Sequence, residues 1–154
     1  MAPDTGDKAP DFTMATDGGG SVALKALKGK KVVLYFYPKD STPGCTTQAI
    51  AFRDSKKAFD KLNTVIIGVS RDSITRHDNF KAKQELNFIL ASDEDGAVCE
   101  AYGVWIMKKL YGREYMGIER STFLIDEKGV IRHVWRKVKV KAHAEEVLKT
   151  LETL

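Results

Sequence analysis

Apolar residues in this chain fall into short continuous runs separated by longer stretches of mixed character. Residues 32–37 and 65–70 are almost wholly apolar and rich in β-branched or aromatic side chains. Runs of that kind read as strands buried on both faces. Between them, Ala49, Phe52, Phe59 and Leu62 recur at spacings that predict a helix over residues 46–59, with an apolar stripe facing inward. Asp72 or Ser73 is placed to cap a second helix that ends near Leu86. Residues 88–91 read as a short extended piece, and 97–102 as a short helix holding Cys99. Residues 121–125 and 130–135 form a strand pair across the turn Asp126-Glu127-Lys128-Gly129. Residues 11–16 and 21–24 flank Asp17-Gly18-Gly19-Gly20, which predicts an N-terminal β-hairpin. A stripe of Ala144, Val147, Leu148, Leu151 and Leu154 closes the chain as a helix. Two stretches are less regular. Residues 105–115 show no period and read as a mobile connection. Residues 136–141 alternate base and valine, the pattern of an exposed strand edge blunted by lysine rather than of an anion patch.

Helices crossing between the first long strands require parallel pairing there, and the later hairpin is antiparallel. The expected fold is therefore α/β: a central mixed β-sheet flanked by helices, with an N-terminal β-hairpin, in one domain over residues 1–154. No internal repeat or low-complexity segment interrupts it.

Composition narrows the function classes. The chain has 154 residues and a formal charge of +4, too mild to imply nucleic-acid binding over a solvated surface. No apolar run is long enough to span a membrane, and residues 1–10 lack the apolar core of a secretory signal. The two cysteines, Cys45 and Cys99, lie far apart with no Cys-x-x-Cys. That spacing suggests neither a disulfide framework nor a zinc site, and it argues against a dithiol oxidoreductase. A reducing cytoplasm is the expected compartment. No cofactor or metal is implied.

The chemistry concentrates at residues 36–48. A strand enters this stretch, a helix leaves it, and two prolines, a glycine, a threonine and Cys45 lie between. Cys45 falls at or within the first turn of the helix, where free N–H groups and the helix dipole favour an anion. A thiol there is expected to have a lowered pKa and to act as a redox nucleophile. The competing reading is a small buried hydrophobe.

The spacing Pro38-x-x-x-Thr42-x-x-Cys45 resembles the peroxidatic motif of the peroxiredoxins. Thr42-Pro43-Gly44-Cys45-Thr46-x-Gln48-Ala49, followed by Phe52-Arg53-Asp54, is similar to the Q-type (bacterioferritin-comigratory) subfamily. So are Gly6-Asp7-x-Ala9-Pro10-x-Phe12, Gly68-Val69-Ser70-x-Asp72-Ser73 and the segment from Gly117 to Asp126. The resemblance implies a thioredoxin-like fold and a thiol-dependent peroxidase for hydrogen peroxide and small organic hydroperoxides. It also implies roles for four residues: Cys45 as nucleophile, Arg120 as fixed cation, Thr42 as the hydroxyl that orients peroxide, and Pro38 as a shield over the sulfur. Gln48 is placed either to touch the site or to serve as a cap or solvated residue. His77, His133 and His143 read as structural.

One departure bears on recycling. Q-type members with a resolving cysteine carry it five residues after the first, or in the helix after the second strand. Here Ile50 holds the first position and residues 73–87 contain no cysteine. A one-cysteine cycle is expected, with thioredoxin, glutaredoxin or another external thiol as reductant, in a monomer. The alternatives are a Cys45–Cys99 disulfide cycle and a non-turnover redox sensor or holdase.

Overall fold

The computed structural model describes residues 2–154. Its elements follow the hydrophobic pattern closely. Strands β1 (Thr13–Thr16) and β2 (Ser21–Ala23) form the N-terminal hairpin, and a 3₁₀ turn follows at Leu24–Leu27. Strand β3 (Lys31–Phe36), helix α1 (Pro43–Lys61), strand β4 (Thr64–Ser70), helix α2 (Ile74–Gln84) and strand β5 (Ile89–Ser92) come next. Then come α3 (Ala97–Ala101), β6 (Trp105–Leu110), β7 (Arg113–Ile118), β8 (Ser121–Ile125), β9 (Ile131–Trp135) and α4 (His143–Glu152).

Seven strands form one sheet in the order β2-β1-β5-β4-β3-β8-β9. The β3–β4 and β4–β5 pairs are parallel, while β1–β5, β3–β8 and β8–β9 are antiparallel. The sheet is therefore mixed, as expected. β3, β4 and β5 step in one direction, so right-handed crossovers place α1 and α2 on the same face.

Alternation along β3 divides the core in two. Val32, Leu34 and Phe36 pack on one side with Phe12, Cys99, Tyr102, Phe123 and Ile125. Val33, Tyr35 and Tyr37 pack on the other with Cys45, Phe52, Phe59, Phe80, Val147 and Leu151. The three longer helices share the second face, and α3, the 3₁₀ turn and the N-terminal segment cover the first. Phe52 stacks on Tyr35 with ring centroids 4.7 Å apart. Each fully buried side chain of this size contributes roughly 2–3 kcal/mol.

Local signals end the helices. α1 has Pro at its first position, where a missing N–H costs nothing. Asn63 adopts φ 54° just beyond its end. α2 is capped by Ser73, whose hydroxyl accepts from Arg76 N–H at 3.2 Å, and stops at Glu85 in the left-handed region.

Three expectations are corrected. Residues 105–115 do not form a mobile connection. They belong to an antiparallel hairpin, β6–β7, closed by Tyr111 and Gly112 at φ 51° and 76°. Residues 136–141 form no strand, because Lys137 turns into the left-handed region at φ 49° and breaks the extended run. The Arg136 guanidinium there reaches the Pro3 carbonyl at 3.2 Å. Leu154 lies past the end of α4 and is exposed, so the closing stripe ends at Leu151.

His143 opens α4 and is buried, with Nε2 2.8 Å from the Thr122 hydroxyl. Burial pushes its pKa down to about 4, the Glu146 charge opposing and the Arg120 charge assisting. In the unfolded chain it titrates near pH ~6.5, so the unfolded state takes up the proton first. Its contribution is complete above the unfolded pKa and is lost as pH falls from about 6.5 to 4. Urea unfolding across that window is expected to show a loss on the order of 3 kcal/mol from this group. His143→Gln is expected to flatten that part of the curve.

Candidate active site

The site is built where β3 gives way to α1. Tyr37 still lies in the core, Pro38 and Lys39 are exposed, and Asp40 turns back inside. Ser41 then adopts φ 64°. For a residue with a Cβ this left-handed conformation costs about 1 kcal/mol and needs support from its neighbours. Thr42 precedes the helix in extended conformation, and its carbonyl accepts the Thr46 N–H at 2.9 Å. Its hydroxyl does not cap the helix. It donates instead to the Lys39 carbonyl at 2.8 Å, which leaves the oxygen lone pairs available.

Cys45 is the third residue of α1 and is only 2% exposed. Its Sγ accepts a hydrogen bond from the Arg120 guanidinium, Nη2 to Sγ 3.3 Å. Arg120 arrives by strand register. β8 runs antiparallel to β3 with Ser121 opposite Phe36, so the residue before Ser121 stands level with the exit of β3. The Arg120 carbonyl is fixed by the Val138 N–H at 2.9 Å. The other guanidinium nitrogen, Nη1, donates to Gln48 Oε1 at 2.5 Å. Gln48 lies three residues after Cys45, on the same face of α1, and is buried. Its Nε2 has no partner among the described residues. Gly44 makes room for this arrangement, since a Cβ there would meet Arg120 Nη2 at 3.3 Å.

The structure thus brings Cys45 and Arg120 into contact and places Thr42 one turn ahead of the sulfur. Pro38 sits exposed at the strand exit. Gln48, left between two readings by the sequence, belongs to the site, and its i, i+3 spacing from Cys45 carried that information. Lys108 on β6 lies near enough to feel the same charges. Burial and then the Arg120 charge lower its pKa, while the Cys45 and Glu119 charges oppose them.

Cys99 is placed differently. It is fully buried on the opposite face of the sheet from Cys45. Burial, then the hydrogen bond and charge of Asp93, push its thiol pKa far up and keep it protonated.

The histidines read as structural have unlike surroundings. His77 is fully buried and lies 2.6 Å from Asp40. Asp40, Asp72 and His77 are close enough to suggest a metal site. Their ligand atoms are already spent on one another and on Tyr37 and Ser70, so the cluster is a hydrogen-bond network.

Comparison with known proteins identifies the family. Residues 5–134 match the AhpC/TSA family. The chain is 54% identical to a putative peroxiredoxin bcp of Coxiella burnetii, over 98% of this chain and all of that one. It is also 54% identical to peroxiredoxin Bcp of Bacillus subtilis, over the whole chain and 98% of the relative. A solved structure of the Xanthomonas campestris bacterioferritin comigratory protein, studied for alkyl peroxide reduction, superposes with a TM-score of 0.89 at 48% identity, covering 92% of this chain and 90% of that one. The chain belongs to the AhpC/TSA family, within its Bcp or Q-type peroxiredoxins, and is a thiol-dependent peroxidase of thioredoxin-like fold.

Proposed function

We propose that Cys45 is the peroxidatic residue and that its substrates are hydrogen peroxide and small organic hydroperoxides. The observation that carries this reading is the guanidinium of Arg120 against Cys45 Sγ at the start of a helix. A cation so placed is the partner a thiolate needs. The thiolate attacks the terminal oxygen of the hydroperoxide. The S–O bond forms as the O–O bond breaks, and the sulfur is left as a sulfenic acid. Negative charge grows on the leaving oxygen, which departs as water or alcohol after taking a proton. Arg120 stabilises that charge, with Gln48 holding the guanidinium in line. The Thr42 hydroxyl orients the incoming peroxide, and Pro38 shields the approach from water. No cofactor enters these steps.

Recycling is assigned to an external thiol. The sulfenic acid condenses with it to a mixed disulfide and releases water, and a second thiol restores Cys45. Three features support this over a Cys45–Cys99 cycle: the sheet between the two sulfurs, the complete burial of Cys99, and its raised pKa. Treatment with one equivalent of peroxide, followed by disulfide mapping by mass spectrometry, is expected to yield Cys45 sulfenic acid without a Cys45–Cys99 bridge. A dominant bridge would overturn the one-cysteine cycle.

Thioredoxin is the first reductant to test, with glutaredoxin and glutathione as the second. NADPH consumption coupled through either system, at many turnovers per protein, supports the enzyme. A single equivalent consumed would favour a redox sensor. The chain is read as a monomer working in the cytoplasm. Among the described residues no helix is long and apolar enough to cross a membrane.

A further inference from the structure

The turn that carries Cys45 is fastened from beneath by groups the peroxide chemistry does not consume. His77, on α2, is fully buried. Its Nε2 lies 2.9 Å from the Ala91 carbonyl oxygen on β5, and its Nδ1 lies 2.6 Å from Asp40 Oδ2. A carbonyl can only accept, so Nε2 carries a hydrogen. Asp40 Oδ1 accepts from the Tyr37 hydroxyl at 2.5 Å. The Asp40 backbone N–H donates to Asp72 Oδ2 at 2.8 Å, and the Ser70 hydroxyl holds the same oxygen at 2.6 Å. Asp40 is thereby bound at three atoms, with one proton between Nδ1 and Oδ2. The next residue is Ser41, in its left-handed conformation, and Thr42 and the first turn of α1 follow. A strained residue between a buried anchor and a helix start stays strained only while the anchor holds.

We propose that the proton shared by His77 and Asp40 is the clasp that fixes the Cys45 turn, so that peroxide reactivity depends on it and declines when alkaline pH removes it. His77 and Asp40 are then positioning residues, acting on the sulfur through the turn. The proposal rests on Cys45 being the reacting thiol. Around His77 the groups from each neighbouring element fit this reading. The turn contributes Asp40, and Tyr37, the residue just beyond β3, contributes its phenol. Asp72 stands two residues beyond β4, paired with Arg76 of α2 at 3.7 Å. β5 contributes the Ala91 carbonyl, and its Ser92 hydroxyl donates to the Asp72 carbonyl at 2.6 Å. The 3₁₀ turn at Asp17–Gly19 contributes Asp17, which is bonded to Lys81 of α2 at 2.7 Å. Asp78, beside His77 on α2, faces outward and accepts the Gly18 N–H. Burial opposes the charge on His77, but the hydrogen bond and charge of Asp40 outweigh it, and its pKa is raised. A raised pKa means that the clasp is intact below about pH 6.5 and opens as pH rises through the folded-state value.

The test measures the second-order rate of Cys45 oxidation by hydrogen peroxide, by rapid quenching and mass spectrometry, from pH ~6 to ~10. Wild type, Asp40→Asn and Asp40→Ala are compared, with circular dichroism to confirm folding. In Asp40→Asn the amide can accept from Tyr37 and donate to neutral His77, whose Nε2–H still meets Ala91. The network survives without a labile proton. Asp40→Ala is expected to lose at least about tenfold at neutral pH, the scale on which misplacing a reacting group acts. Asp40→Asn is expected to recover most of that loss, with a level profile where the wild-type rate falls. A wild-type rate that does not fall above neutrality, or the same alkaline fall in Asp40→Asn, overturns the proposal. That comparison decides the matter even if Asp40→Ala does not fold. A wild-type Cys45 inert to peroxide at every pH would instead remove the assignment of Cys45, and the clasp with it.

Discussion

Cys45→Ser is expected to reduce peroxide turnover to the uncatalysed background, with the fold intact. The exchange replaces one atom by a smaller one at a site that is 2% exposed, so packing changes little. The chemistry changes completely, because a serine hydroxyl is not ionised near neutrality and cannot be oxidised to a sulfenic acid. Cys99→Ser is the matched control. It alters the core on the far side of the sheet, and a buried hydroxyl needs a partner, so some stability is lost. Its peroxide rate is expected to stay within about twofold of wild type, since surviving a buried substitution is a matter of stability rather than of reacting groups. Steady-state peroxide consumption with a thiol reductant measures both. Equal losses in the two variants would sink the one-cysteine assignment.

Arg120→Ala is expected to lower the second-order rate with peroxide by about 10²- to 10³-fold, or roughly 3–4 kcal/mol, the scale on which one fixed donor acts on developing charge. Two contacts disappear together: the bond to Cys45 Sγ and the bond that holds Gln48 Oε1. Arg120→Lys is expected to restore only part of the rate. An ammonium is a point charge and cannot span Sγ and the Gln48 oxygen with a planar fork. Stopped-flow oxidation of the reduced protein separates this effect from any slower step of recycling. An Arg120→Ala rate within threefold of wild type would leave the guanidinium without a catalytic role.

Much of the framework was legible in the chain because burial on both faces leaves continuous apolar runs. β3, β4 and β8 announced themselves in that way, and Cys45 was placed correctly in the first turn of a helix. Contacts set by register were not legible. Arg120 reaches Cys45 because Ser121 stands opposite Phe36, and nothing in either segment states that pairing. The Asp40–His77 contact joins residues 37 positions apart and gave no sign in the spacing. β6 and β7 were missed for another reason. Both strands are partly exposed on each side, so neither alternation nor a continuous run develops. Their turn uses Tyr111 where asparagine or aspartate usually precedes glycine. The lysine–valine alternation at residues 136–141 misled in the opposite direction. It carries the period of a strand, but the backbone reverses at Lys137 before one can form.

The sheet that stands between the two sulfurs has a consequence for the protein's life under stress. On the one-cysteine cycle proposed above, no partner inside the molecule traps the first oxidation product, and its persistence is set by how quickly outside thiols arrive. When they are plentiful, the cycle closes before a second peroxide can react. When they run short, the same sulfur remains available for further, irreversible oxidation. On that cycle the fraction of irreversibly oxidised molecules would be a cumulative record of how often peroxide supply has outpaced the available reducing thiols.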